Sequence, residues 1–113
     1  MQISIIIPIY NEEKTLKEVI FNTQKVFAQS KNDYEIILVN DGSKDKMREI
    51  ISKISDPHII AIHHETNYGK GRAIQSGVKK ATGNYIVIQD ADLEYDPRNL
   101  AELTQLAIEK KSV

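Results

Sequence analysis

The apolar residues gather into four short runs at 3–7, 35–39, 58–62 and 85–88, each rich in β-branched side chains. Continuous rather than alternating runs are the mark of strands covered on both faces. Between them the apolar positions recur at helical spacing. Leu16, Val19, Ile20, Thr23 and Phe27 outline a first helix. Met47, Ile50, Ile51 and Ile54 outline a second, ended before Asp56-Pro57. Ala73, Ile74, Gly77, Val78 and Ala81 outline a third, closed by Gly83. Leu100, Leu103 and Ala107 outline a fourth, with Asp96 as its cap and Pro97 at its first position. Strand and helix therefore alternate along the whole chain. That order predicts an α/β domain, a Rossmann-like parallel sheet of about four strands joined by right-handed crossovers and flanked by helices.

Composition narrows the classes of function. With 113 residues the chain suffices for one domain with a real core, and neither repeats nor linkers divide it. The formal net charge is -1, so no basic excess points to nucleic acid and no polybasic run points to a membrane surface. Cysteine is absent, which removes disulfides and thiolate metal sites and fits a reducing, cytoplasmic setting. The apolar start lacks a basic leader and a small-residue cleavage site, so it reads as a strand rather than a signal peptide. No apolar run approaches the roughly 20 residues that span a bilayer.

In open α/β sheets the ligand sits beyond the carboxyl ends of the strands, near the point where strand order reverses. Here the first strand is followed by Pro8-Ile9-Tyr10-Asn11-Glu12-Glu13, and the second by Asn40-Asp41-Gly42-Ser43. The third leads into His63-His64-Glu65-Thr66-Asn67-Tyr68-Gly69-Lys70-Gly71-Arg72, and the fourth into Gln89-Asp90-Ala91-Asp92-Leu93-Glu94. All of these polar clusters are thus expected on one rim. Asp90 and Asp92, one residue apart at the end of a buried run, suit a hard divalent cation shared with a diphosphate. Alone, such a pair also describes a solvated turn. Gly69 and Lys70 open the third helix, whose first N–H groups favour an anion, with Lys70 or Arg72 meeting a diphosphate. The spacing of a P-loop is absent. His58, His63 and His64 read as structural or surface residues, because adjacent residues of an extended chain point apart and chelate one ion poorly.

Taken in order, Ile-Ile-Pro-Ile-Tyr-Asn-Glu-Glu, Val-Asn-Asp-Gly-Ser-Lys-Asp, Asn-Tyr-Gly-Lys-Gly-Arg-Ala, Ala-Thr-Gly-Asn-Tyr and Asp-Ala-Asp-Leu-Glu-Tyr-Asp-Pro resemble the family 2 glycosyltransferases. The flavour is that of the dolichol-phosphate mannosyltransferases and other polyprenyl-phosphate sugar synthases, from residue 5 to about residue 100. The resemblance implies the nucleotide-binding half of a GT-A fold and a donor that is a UDP- or GDP-linked sugar. It also implies roles by position. Tyr10 lies against the base, Glu12 approaches the ribose, and Asp41 contacts the base edge. Pro8 counts among the substrate-binding positions, although by its chemistry alone it reads as ending the strand and fixing the turn. Asp90, Asp92 and Glu94 hold Mg²⁺ or Mn²⁺ against the diphosphate. Asn40 stands where many relatives carry another aspartate, so no role passes to it.

Members of that family continue well past the Asp-x-Asp segment, and their acceptor-binding parts come later. The chain is therefore expected to be the donor portion of a longer, inverting enzyme, inactive alone, whose catalytic base lies elsewhere. A polyprenyl phosphate acceptor follows by resemblance, and with it association of the parent enzyme with the cytoplasmic face of a membrane. If the absent portion pairs with the last strand, an open sheet edge would favour self-association. The alternative is a non-catalytic nucleotide-binding module. A signalling receiver-like domain shares the size and alternation, but Tyr10-Asn11-Glu12 and His63-His64 occupy the places where it needs acids.

Overall fold

The computed structural model describes residues 2–12, 14–29, 33–43 and 46–89, together with the strand backbone at 108–109. The elements run β1 (Gln2–Ile9), α1 (Leu16–Ala28), β2 (Asp33–Asp41), α2 (Met47–Ser52), β3 (Ile59–His64), α3 (Lys70–Lys80), β4 (Tyr85–Ile88) and β5 (Ile108–Glu109). The sheet order is β3-β2-β1-β4-β5. The first four strands are mutually parallel, as the alternation predicts. The order reverses at β1, which has β2 on one side and β4 on the other.

Each long strand feeds two cores. Ile3, Ile5, Ile7 and Ile9 of β1 and Ile36 and Leu38 of β2 pack with Leu16, Ile20 and Phe27 of α1 and Met47 and Ile51 of α2. The intervening Ile6, Ile37 and Val39 turn to the opposite face and meet Ala73 of α3, with Val78 beside them. Period two along the strands thus serves both layers, which is why the runs are apolar on both faces, with Ser4, Glu35 and His58 as the exceptions. Gly77 lets α3 come close to the sheet. A Cβ there would lie 2.6 Å from Cγ2 of Ile6.

Two features depart from the sequence reading. Pro8 does not end β1, because the strand continues to Ile9 and Pro8 pairs with Val39. The N–H of Gln89 reaches the carbonyl of Ile6 at 2.9 Å, so Ile6 bonds toward β4, and Pro8, two residues on, turns its missing N–H the same way. The β4 ladder has already stopped at Ile6, so the proline costs no ladder bond. Next, β5 is an antiparallel strand, pairing Tyr85 with Glu109 and Ile86 with Ile108. Two residues are too few to print a period in the sequence, and they cover part of the β4 edge that was expected to be open. The fourth helix, with Asp96, Pro97, Leu100, Leu103 and Ala107, lies outside the described residues.

At the amino end of the sheet a buried carboxylate gathers the chain leaving α3. Glu35 accepts hydrogen bonds from the Ser4 hydroxyl at 2.6 Å, the Thr82 N–H at 2.7 Å and the Thr82 hydroxyl at 3.1 Å. The N–H of Gly83 donates to Ser4 Oγ at 2.8 Å. The Ala-Thr-Gly-Asn-Tyr segment is therefore an anchor for β4, at the end of the sheet opposite the rim expected to bind ligand.

Gly77→Ala is expected to lower stability by about 1–2 kcal/mol, the helix-propensity gain being outweighed by the clash with Ile6. Urea midpoints check this, and an unchanged or raised midpoint would contradict the close approach.

Candidate functional site

The crevice between β1 and β4, where strand order reverses, is bordered by Tyr10 to Glu12 after β1 and by Gln89 after β4. Tyr10 is exposed. Asn11 adopts the left-handed region at φ 53°, which asparagine tolerates, and its N–H donates to Ser43 Oγ at 3.0 Å. Glu12 begins the path into α1. Its carbonyl accepts from the N–H of Thr15 and of Leu16, and its carboxylate accepts from the Thr15 hydroxyl at 3.3 Å. Gln89 is buried, and its side chain meets the Thr23 hydroxyl of α1 at 3.0 Å. That hydroxyl also lies 2.8 Å from the Val19 carbonyl. One hydroxyl proton cannot serve both the Val19 carbonyl and Gln89 Oε1. Turning the Gln89 amide over brings its otherwise unpartnered Nε2 to Thr23 and satisfies both contacts. Gln89 is thus fixed by backbone and side chain immediately before Asp90 in the sequence.

Across the rim, the loops after β2 and β3 are locked together. Asp41 pairs in register with His64, and Asn40 with His63. One Asp41 oxygen accepts from the Tyr68 N–H at 3.0 Å and from His64 Nδ1 at 2.8 Å, and the other accepts from the Gly69 N–H at 2.8 Å. His64 Nε2 in turn meets Ser76 Oγ at 2.8 Å. Asn40 Nδ2 contacts His63 Nδ1 at 3.1 Å, and Asn40 Oδ1 accepts from the Ser43 N–H at 3.2 Å. Gly42 sits at φ 70°, and a Cβ on it would lie 2.3 Å from the carbonyl carbon of Thr66. Only glycine fits that backbone crossing.

Burial alone would raise the Asp41 pKa. The hydrogen bonds from His64 and from the Tyr68 and Gly69 amides outweigh it and hold the pKa below the ordinary carboxylate value. Burial pushes the His63 pKa down, with the Arg48 charge adding to the effect. Beyond the loop, the Arg72 guanidinium carbon lies 5.4 Å from the centroid of the exposed Tyr68 ring, and that ring meets His64 edge-on at 5.3 Å. Lys70 is exposed at the start of α3.

The structure therefore gathers Tyr10, Glu12, Asp41, Gly69, Lys70 and Arg72 at the carboxyl end of the sheet. Asp90, Asp92 and Glu94 lie outside the described residues, and among the described residues no three His, Asp or Glu side chains are grouped to hold a metal ion. Two placements refine the sequence reading. The Gly69 N–H turns inward to Asp41, so it is not directed at a ligand anion, and most of the Asp41 carboxylate is engaged in holding the loop. The reading also gave His64 no specific role. Parallel register carried the missing signal, since the residue beside Asp41 on the neighbouring strand had to be a side chain at the end of β3.

The sequence signature of glycosyl transferase family 2 matches residues 4–113. The chain belongs to that family. This family 2 chain is 40% identical over 111 residues to the undecaprenyl-phosphate 4-deoxy-4-formamido-L-arabinose transferase of Proteus mirabilis (strain HI4320). The match takes in 96% of the chain and 34% of that relative, so the chain spans about a third of its length. Among solved structures, S. aureus TarS 1-349 in complex with UDP-GlcNAc aligns with a TM-score of 0.71 and 30% identity, over 81% of this chain and 27% of that one. The mannosyltransferase PcManGT from Pyrobaculum calidifontis, in complex with GDP-Man and Mn²⁺, aligns with a TM-score of 0.70 and 26% identity, over 88% and 30%.

Two outcomes follow for this family 2 rim. Gly42→Ala is expected to cost about 3 kcal/mol or more, since strain at positive φ adds to a backbone collision. A calorimetric melting scan checks it, and a loss under about 1 kcal/mol would contradict the crossing. The second concerns pH. Folding favours neutral His63, so stability should be level above about pH 6.5 and fall as pH drops through that value. The Asp41 contribution should persist to lower pH and disappear as pH falls through its depressed folded pKa. Urea titrations from pH 8 to 3 would reveal both phases, and His63→Gln should remove the first alone.

Proposed function

We propose that the chain is the donor-binding domain of a metal-dependent, inverting glycosyltransferase that uses a nucleoside-diphosphate sugar. The observation that carries this reading is the interlocked carboxyl rim beside the β1–β4 reversal, in a chain of family 2. The exposed Tyr10 ring offers a face to the base, and Glu12 offers acceptors to the ribose hydroxyls. The second oxygen of Asp41 accepts one amide bond, leaving acceptor capacity for the edge of a base. Lys70 and Arg72 supply positive charge for the diphosphate. Asp90, Asp92 and Glu94 form an all-oxygen donor set suited to Mg²⁺ or Mn²⁺. A cation bound there would neutralise charge on the departing diphosphate.

The P. mirabilis relative supports a polyprenyl phosphate acceptor, and the neighbours bound to UDP-GlcNAc and to GDP-Man with Mn²⁺ support a nucleotide-sugar donor. With such an acceptor, the parent enzyme works at the cytoplasmic face of a membrane. No helix among the described residues is long and apolar enough to cross one. Self-association through a sheet edge belongs to the same reading, and the outer edge of β3 is the candidate surface. A monomeric sedimentation profile at high concentration would count against that part.

Calorimetric titration with UDP and with GDP, each with and without Mn²⁺, tests the proposal. One nucleotide is expected to bind and to require the metal, and Asp92→Ala should weaken binding at least tenfold while leaving the melting temperature unchanged. Metal-independent binding that survives Asp92→Ala would sink the reading.

A further inference from the structure

Ser76, His64 and Asp41 form a hydrogen-bonded line that reaches from the middle of α3 to the loop that opens the same helix. Its links are 2.8 Å from Ser76 Oγ to His64 Nε2 and 2.8 Å from His64 Nδ1 to Asp41. A carboxylate only accepts, so Nδ1 carries the proton, and in the neutral ring Nε2 accepts from the Ser76 hydroxyl. The order of groups is that of a nucleophilic triad, but the surroundings are wrong for one. Ser76 stands inside α3, where backbone N–H groups bond within the helix, and the Tyr68 and Gly69 N–H groups are directed at Asp41. Among the described residues no pair of N–H groups faces Ser76 Oγ to hold an oxyanion. What the line does is orient. A buried carboxylate free to rotate would not hold two adjacent amides of one loop, and the His64 ring fixes its plane from the third side.

We propose that His64 and Ser76 are positioning residues of the nucleotide-sugar site: Ser76 fixes the His64 ring, His64 fixes Asp41, and Asp41 sets the Tyr68–Gly69 backbone from which Lys70 and Arg72 extend. This inference rests on the donor-binding reading above. It assigns function to a serine on the helix flank that acts through His64. Edge-on contact between His64 and Tyr68 ties the ring next to Arg72 into the same unit.

The test compares wild type with Ser76→Ala, Ser76→Thr and His64→Asn in the intact protein. Amide hydrogen exchange is read at Tyr68, Gly69 and Thr82, the ring nitrogen shifts are read for His64, and UDP and GDP are titrated with Mn²⁺. Wild type should show the Nδ1–H tautomer. Ser76→Ala should speed exchange at Tyr68 and Gly69 about fivefold and weaken nucleotide binding by a similar factor. Thr82, held by Glu35 at the far end of α3, should keep its wild-type exchange rate. Ser76→Thr should restore both properties. His64→Asn, which keeps a donor for Asp41 but gives Ser76 no ring nitrogen, should fall between. Unchanged exchange at Tyr68 and Gly69 in Ser76→Ala would overturn the proposal, as would equal acceleration at Thr82, the sign of general loosening. A wild type with the expected exchange pattern that binds neither nucleotide would refute the donor-binding reading instead, and with it the link from this line to a ligand.

Discussion

The buried carboxylate of Asp41 is the constraint on which the rim depends. Its residue is 3% exposed, yet burial has not neutralised it, because two loop amides and an imidazole direct their hydrogens at it. Hydrogen bonds to a charged acceptor are shorter and roughly twice as strong as neutral ones. Removing any donor would leave charge in a low-dielectric setting, so each bond makes the others more necessary. The loop after β3 is therefore held by β2, its neighbour in the sheet.

The same strand grips the other end of α3. Glu35 near the start of β2 collects Thr82 as the chain leaves the helix, while Asp41 at its end collects Tyr68 and Gly69 as the chain enters. Between these two carboxylates α3 lies so close to β1 that Gly77 has no room for a methyl group. Helix, loop and strand are thus tied together at both ends of α3. A family 2 site built on such a frame can present Lys70 and Arg72 from a fixed backbone, which limits the entropy lost when an anion is bound.

Much of this was readable from the residues. Continuous β-branched runs announced strands covered on both faces, and Ile3 to Ile9 do divide between two cores. Alternation announced parallel pairing, and the clusters after the first three strands announced the rim. Three things were not readable. Pro8 looked like a terminator because a proline's tolerance depends on which neighbour its missing N–H faces, and that is a property of the sheet. The two-residue β5 has no period to read. His64 looked inert because its partners, Asp41 and Ser76, are distant in sequence and meet only through register and helix packing. Composition also hid the division of labour between the two ends of the sheet: the Thr82-Gly83 turn, so conspicuous as a motif, is an anchor far from the rim.

The central claim is that the rim around Asp41 is where a nucleotide binds. Mapping backbone amide shifts during titration with UDP and GDP in the presence of Mg²⁺ tests it most directly. The account predicts that the largest shifts fall on Tyr10, Asn11, Asp41 and the stretch from Tyr68 to Arg72, with Ser4, Glu35 and Thr82 undisturbed. Shifts centred on Ser4, Glu35 and Thr82, with the rim unmoved, would contradict it.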